Sequence, residues 1–364
     1  MGYSSKEMTI SVLIPAHNEQ EIIVQTLNSI LSQTLKPTEI IVICDGCSDN
    51  TIPLIFEFRQ ATKTNIIIFE TKNNTGRKAG ALNQVFNKLE LQKHVLIMDA
   101  DTLIDKNALK SGMDMLSKDE NLAAVSSRAG ILPYQGKSLW GKLIWTIQHI
   151  EYGQFDSHRI ETRDKIKVAH GMATLFRLDA LKTVPLFRKK ALNIDSDIYL
   201  ENNLVEDYEM TLCLKHNWKI SACMDMLAWT DVPVCVKELW IQRLRWLRGG
   251  VNALRLHSWN KVTLFEILNH WLFVLLVTLR MFGFVWVLYY FSIFSFEKFN
   301  PTIVLVFSLA YIDSVYRLKY VQNKTFFDYL VKILILPELI YGWFQAIGLI
   351  LSYILSFLNI KQRW

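Results

Sequence analysis

Acidic stations interrupt the first two thirds of the sequence. Asp45 lies in CDGCSD, Asp99 and Asp101 form a D-x-D in DAD, and Glu206 and Asp207 stand side by side in VEDYE. A D-x-D turn can aim two carboxylates at one divalent cation and a diphosphate. Hard oxygen ligands suit Mg²⁺ or Mn²⁺, which keep several waters and take further ligands from substrate phosphate. Alone the pattern has low specificity, because any solvated turn can carry it. Further on, Gln242, Arg245 and Trp246 fall in QRLRW. An arginine there can hold diphosphate oxygens bidentately, and an indole offers a flat apolar face to a sugar ring. On spacing alone the reading that wins is a basic amphipathic helix on anionic lipid, with Arg243, Arg245 and Arg248 towards the headgroups. Cys44 and Cys47 make a CxxC, but no second CxxC or histidine pair completes a metal site.

Such residues need elements to hold them. Short β-branched runs at 9–14, 39–44, 65–69 and 94–98 alternate with helical patterns at 19–35, 50–62 and 77–89. Near-continuous apolar strands separated by helices predict an α/β domain with a parallel sheet covered on both faces. Ligands of such sheets bind beyond the carboxyl ends of the strands. Polar clusters follow three of the runs directly, at 16–19, 45–49 and 99–101. Three polar strand ends facing one crevice predict a site there. The first strand is followed by PAHNE, not G-x-G-x-x-G, which excludes the dinucleotide fingerprint. Beyond residue 102 the pattern predicts helices over 106–116, 138–155 and 205–216 and a strand over 122–127. The acidic first turn of the 205–216 helix suits its dipole.

Composition divides the chain. Of 364 residues, 51% are hydrophobic and 20% charged, which excludes disordered, collagen-like and disulfide-scaffold classes. Residues 1–263 hold 32 basic and 29 acidic groups, and residues 264–364 hold 8 and 5. A net +3 in each part argues against nucleic acid as a partner but suits an anionic lipid surface. Runs at 271–296, 302–320 and 334–358 are each long enough to span about 30 Å of hydrocarbon. The segments 265–270 and 326–333 read as interfacial lead-ins. Arg317, Lys319, Lys324 and Lys332 crowd one loop, whereas 291–300 holds only Lys298, so the former is expected in the cytosol. Lys361 and Arg363 then fall outside, against the same rule. Arg280, Asp313, Arg317 and Glu338 lie in or near the spans and should pair, since a central charge costs about 2.5–3.5 kcal/mol on insertion scales. Five cysteines form no even framework, and the start shows no secretory pattern. The expectation is a cytosolic catalytic domain over 1–263 and a membrane domain over 264–364.

The order of the pieces adds more. SVLIPAHNE, DGCSDNT, NTGRKAGALN, DAD, VEDYEMTL and QRLRW together resemble the family 2 glycosyltransferases. More narrowly, they look like the membrane-bound branch of cellulose, hyaluronan and poly-N-acetylglucosamine synthases. The resemblance covers roughly residues 9–250. It implies a Rossmann-like GT-A fold, a UDP-glucose or UDP-N-acetylglucosamine donor, Mg²⁺ or Mn²⁺, and inversion to a β-linked product. By motif match, Ala16, His17, Glu19 and Asp45 hold the nucleoside, and Lys78 lies near the donor. Asp99 and Asp101 match the metal-binding D-x-D, with Asp101 the direct ligand. Asp207 matches the general base, and Glu206 is its substrate-side neighbour, which would raise its pKa by like charge. Gln242, Arg245 and Trp246 match the element near diphosphate and acceptor sugar. Each has an ordinary alternative: Glu19 as a first-turn helix charge, His17 as a loop residue, Lys78 as solvated surface. HGMATLF, residues 170–176, resembles the acceptor segment, and its His170 fits a packed core histidine equally well.

Polymer-secreting members surround a channel with more spans than three, so elongation here would need chains to associate. The expectation is a multi-pass cell-membrane enzyme of the polysaccharide-synthase kind, extending a saccharide acceptor at its cytosolic domain. The alternative is transfer of one sugar to a lipid or lipid-linked glycan. Expected partners are the nucleotide-sugar, the acceptor, the bilayer and a second copy of the chain.

Overall fold

The computed structural model describes residues 8–162, 166–201, 203–293, 308, 311–312 and 314–360. The chain divides into two compact units, one of Met1–Leu132 with His158–Asp231 and one of Pro133–Ser157 with Val232–Trp364.

The first unit is built on β1 (Ile10–Ala16), β2 (Glu39–Cys44), β3 (Ile66–Glu70), β4 (His94–Met98), β5 (Leu103–Ile104), β6 (Leu122–Ile131), β7 (Ala173–Arg177) and β8 (Lys219–Thr230). They form a single sheet in the order β3-β2-β1-β4-β7-β6-β8-β5. Around it lie α1 (Ile23–Leu31), α2 (Thr51–Gln60), α3 (Arg77–Lys88), α4 (Ala108–Leu116), α6 (Leu178–Phe187) and α7 (Glu206–Leu214). A longer helix, α5 (Leu139–Thr162), belongs mostly to the second unit.

β1 to β4 pair in parallel, as the uninterrupted apolar runs predict. Both faces of β1 and β2 are buried, so every second residue need not be polar. The all-parallel expectation fails beyond β4. β7 inserts antiparallel between β4 and β6, and β5 pairs antiparallel with β8. Met98 at the end of β4 faces Ala173 at the start of β7, so the segment ahead of β7 meets the carboxyl end of β4. Local pattern missed β8 because a register shift lets Ser127 face Cys223 and Arg128 face Leu227, which breaks its alternation.

In the second unit, α8 (Val236–Leu256) and α9 (Lys261–Ile293) are followed by α10 (Phe326–Leu334) and α11 (Leu336–Phe357). α9 runs without a break from Lys261, so 265–270 is part of that helix and not a separate lead-in. Among the described residues, Lys261–Trp286 and Leu336–Phe357 are long and apolar enough to cross a membrane. Within the 302–320 run, residues 302–307, 309, 310 and Asp313 lie outside the described residues, as do Lys298, Lys361 and Arg363. Two of the remaining span charges, Arg317 and Glu338, find partners within this unit. Glu338 accepts from Lys332 at 2.6 Å, and Arg317 donates to Ser157 Oγ at 3.1 Å. α10 starts with a Thr325–Asp328 capping box, and Asp328 also pairs with the buried His149 at 2.9 Å.

Candidate active site

β1 stops at Ala16, where the chain leaves the sheet and Asn18 turns to φ +59°. Its side chain holds that turn, with Oδ1 accepting from Ser48 N at 2.8 Å. His17 donates from Nδ1 to the Asp45 carbonyl at 2.5 Å, and Glu19 N donates to Thr51 Oγ1 at 2.8 Å. Asp45, just beyond β2, accepts from Thr71 Oγ1 at 2.6 Å. Ala16, His17, Glu19 and Asp45 thus form one neighbourhood across two adjacent strand ends. The CxxC in the same turn carries no redox signal. Burial, and then Cys47, pushes the Cys44 thiol up to about 12, so it stays protonated.

Beyond β4, Asp99 meets Lys78 of α3 at 2.5 Å, and Lys78 reaches Glu206 at 3.4 Å. One ammonium thereby bridges the D-x-D and the ED pair. Burial pulls the Lys78 pKa down, but Asp99 and Glu206 outweigh it and hold the group above its ordinary value. Asp207 Oδ2 accepts from Gly171 N at 3.1 Å, and its Oδ1 from Tyr208 N at 2.7 Å. The Asp207 carboxyl is pushed up to about 6, first by burial and then by Glu206, with Lys78 opposing. The like-charge effect read from the sequence is present, but desolvation leads it. His170 is a packed residue: its Nε2 lies 3.0 Å from Ser127 O and 3.1 Å from Arg159 Nη1. Burial and Arg159 hold its pKa well below the ordinary value, so the imidazole is neutral.

Gln242, Arg245 and Trp246 lie on α8, in the second unit. The headgroup reading of this helix fails for two of its arginines, because Arg243 and Arg248 are buried. Arg243 donates to Glu151 Oε2 at 2.6 Å and to Tyr341 Oη at 2.9 Å, while Gln242 Oε1 accepts from Arg243 Nη1 at 2.9 Å. Its guanidinium lies 4.3 Å from the centre of the Trp246 ring, which is 36% exposed. Sequence reasoning gave Arg243 no role in the motif.

Residues 11–184 match the family described as Glycosyl transferase family 2. Over 344 residues the chain is 30% identical to a poly-β-1,6-N-acetyl-D-glucosamine synthase of Staphylococcus epidermidis, covering 88% of this chain and 78% of that one. The chain belongs to glycosyltransferase family 2. A synthase of the same name from Staphylococcus aureus strain COL is 31% identical over 248 residues, 67% of this chain and 55% of that one. This family 2 glycosyltransferase is of the polysaccharide-synthase-like kind, and its two apolar helices are compatible with a membrane protein. A mannosyltransferase from Pyrobaculum calidifontis, solved with GDP-mannose and Mn²⁺, superposes with a TM-score of 0.57 at 15% identity, covering 97% of this chain and 88% of that one. At that identity the likeness is one of fold, and the fold is GT-A.

The donor set of the glycosyltransferase fits a hard divalent cation. Among the described residues, the hydrogen bonds of Asp101 are long ones from neutral hydroxyls, 3.4 Å to Thr102 and 3.3 Å to Thr230. Burial and then Asp99 push its carboxyl up to about 6, and burial, Asp101 and Asp99 push Glu19 up to about 7. Carboxyls crowded by like charge are stabilised in their ionised form by a positive charge among them. Sequence reasoning placed Glu19 with the nucleoside segment; its electrostatics tie it to the D-x-D as well. Gly171 was also passed over inside HGMATLF. A Cβ there would lie 2.6 Å from Lys78 Nζ and 3.3 Å from Asp99 Oδ2, so a side chain at this position would push the ammonium away from its present place beside Asp99.

Proposed function

We propose that the protein moves a sugar from UDP-N-acetylglucosamine or UDP-glucose, with inversion, onto a saccharide acceptor, building a β-linked polymer from the cytosolic face of the cell membrane. The synthases it is similar to favour the N-acetylated sugar. The observation that carries the reading is Lys78 bridging Asp99 and Glu206, with Asp207 held beside them by Gly171. A metal-binding turn and a base of raised pKa in one neighbourhood suit direct displacement at an anomeric carbon.

In this reading Ala16, His17, Glu19 and Asp45 hold the uridine. Asp99 and Asp101 hold Mg²⁺ or Mn²⁺, which when bound supplies countercharge for the diphosphate. Lys78 offsets the charge of Asp99 and Glu206 beside Asp207, and Arg245 adds donors for diphosphate oxygens. Asp207 accepts the proton of the attacking sugar hydroxyl as that oxygen meets the anomeric carbon from the face opposite the diphosphate, so no covalent intermediate is required. Trp246, braced by Arg243, offers the acceptor sugar a stacking face. The deciding experiment incubates the protein in membranes with labelled nucleotide-sugars and sizes the product. A ladder of lengths supports the polymer reading; one added sugar on a lipid replaces it with single transfer, which the two described apolar helices would serve equally well.

Two results follow. Asp207 must be ionised to act, and its pKa is near 6, so transfer should fall about tenfold per pH unit below 6 and level off above about 7. A solvated aspartate would hold the plateau to about pH 4; a flat profile between 4 and 7 contradicts the assignment. Trp246→Ala should shorten products or stop transfer while donor hydrolysis stays measurable. Products of unchanged length would remove Trp246 from acceptor handling.

A further inference from the structure

Glu151 of α5 lies outside every motif, yet it is the counter-ion of the buried Arg243. Its Oε2 accepts from Arg243 Nη2 at 2.6 Å and from Tyr341 Oη at 2.7 Å, and its Oε1 accepts from Gln345 Nε2 at 2.6 Å. Tyr341 Oη in turn accepts from Arg243 Nε at 2.9 Å, so the guanidinium is held along two of its edges. Tyr341 and Gln345 stand four apart on the largely apolar α11 and so share one face of it. Polar side chains on such a helix are costly unless partnered, and both of these converge on the one carboxylate. All of these residues lie in the second unit.

Arg243 sits inside QRLRW, between two side chains to which that motif gives roles. Its Nη1 donates to Gln242 Oε1 at 2.9 Å. Its guanidinium lies over the ring of Trp246, three residues on and on the same side of α8, 4.3 Å from the ring centre. One arginine thus orients both motif side chains, and one carboxylate orients the arginine.

We propose that Glu151 is a positioning residue for the acceptor: it fixes Arg243, and through Arg243 the Gln242 amide and the plane of the Trp246 ring. The proposal rests on Gln242 and Trp246 handling the acceptor. A ring that is 36% exposed is only partly fixed by packing, and the guanidinium supplies the rest. It also takes one face of the indole, which commits a sugar to the other. Without Glu151 the buried guanidinium would be left uncompensated and would be drawn towards water, away from the ring.

Glu151→Gln keeps the shape and removes the charge. In the full chain in membranes, with whichever labelled donor the wild type turns over, UDP-N-acetylglucosamine or UDP-glucose, the readout is the ratio of sugar transferred to donor hydrolysed. That ratio should fall roughly tenfold, the size of one lost charge-assisted hydrogen bond, with donor KM within about twofold. A wild-type ratio overturns the proposal. The double variant Glu151→Gln with Arg243→Met separates positioning from mere charge balance, because it leaves no uncompensated cation and still lacks the group over Trp246. It should stay as defective as Glu151→Gln; recovery of the wild-type ratio overturns the proposal, and this holds even if the single variant folds poorly. Trp246→Ala, assayed alongside, distinguishes the two claims. If it lowers the ratio while Glu151→Gln does not, the acceptor role of the motif stands and only this inference fails; if Trp246→Ala leaves the ratio unchanged, the acceptor role itself fails.

Discussion

Asp207→Asn should lower transfer by about 10²–10⁴-fold, the usual contribution of a general base, while nucleotide-sugar affinity stays within a few-fold. The amide is isosteric with the carboxylate but accepts no proton at working pH. The exchange is not silent structurally. Gly171 N–H and Tyr208 N–H each use one Asp207 oxygen, and the amide has a single acceptor oxygen for the two. One buried donor loses its partner, which costs on the order of 1–3 kcal/mol of stability. Thermal melting should therefore drop modestly, whereas calorimetry with the nucleotide-sugar should not show a matching loss. Initial rates with labelled donor decide the point: turnover close to wild type would remove Asp207 from the chemistry.

Asp101→Ala should abolish the metal-dependent part of UDP binding, weakening it by at least roughly 100-fold in Mn²⁺ or Mg²⁺, because the D-x-D supplies the hard oxygen ligands. The sign should reverse once the metal is chelated. Asp101 stands with Asp99 and Glu19: burial and then Asp99 raise the Asp101 carboxyl, and burial, Asp101 and Asp99 raise that of Glu19. Removing one of these negative charges relieves repulsion towards a diphosphate, so the metal-free variant should bind UDP as well as wild type or better. A variant that has merely lost its fold would bind poorly in both conditions. Unchanged metal-dependent affinity would place the cation elsewhere.

The legible part of the site is its local part. β1, β2 and β4 are apolar runs that end in PAHNE, CDGCSD and DAD, and each run and its polar end lie within a few residues of one another. α7 starts at Glu206, so the ED pair was legible both as a helix start and as a motif. The membrane-compatible character of α9 and α11 is likewise a property of continuous sequence. Prediction failed where a residue's surroundings come from distant segments. Arg243, read as facing headgroups, is buried because Glu151 and Tyr341, far along the chain in both directions, supply its partners.

By itself the sequence determined the alternation of strands and helices, the acidic strand ends, the long apolar runs near the C-terminus and the family. These follow from periodicity and motif spacing, which are short-range. Only the tertiary structure decided that β7 enters antiparallel beside β4 and brings Gly171 to Asp207 across 36 positions, and that Asn83 fixes Tyr199 across 116. It also decided that desolvation, ahead of Glu206, lifts the Asp207 carboxyl. The physical reason is common to all three. Burial and hydrogen-bond partnership are set by what the folded chain packs together, and no window of neighbouring residues contains that information.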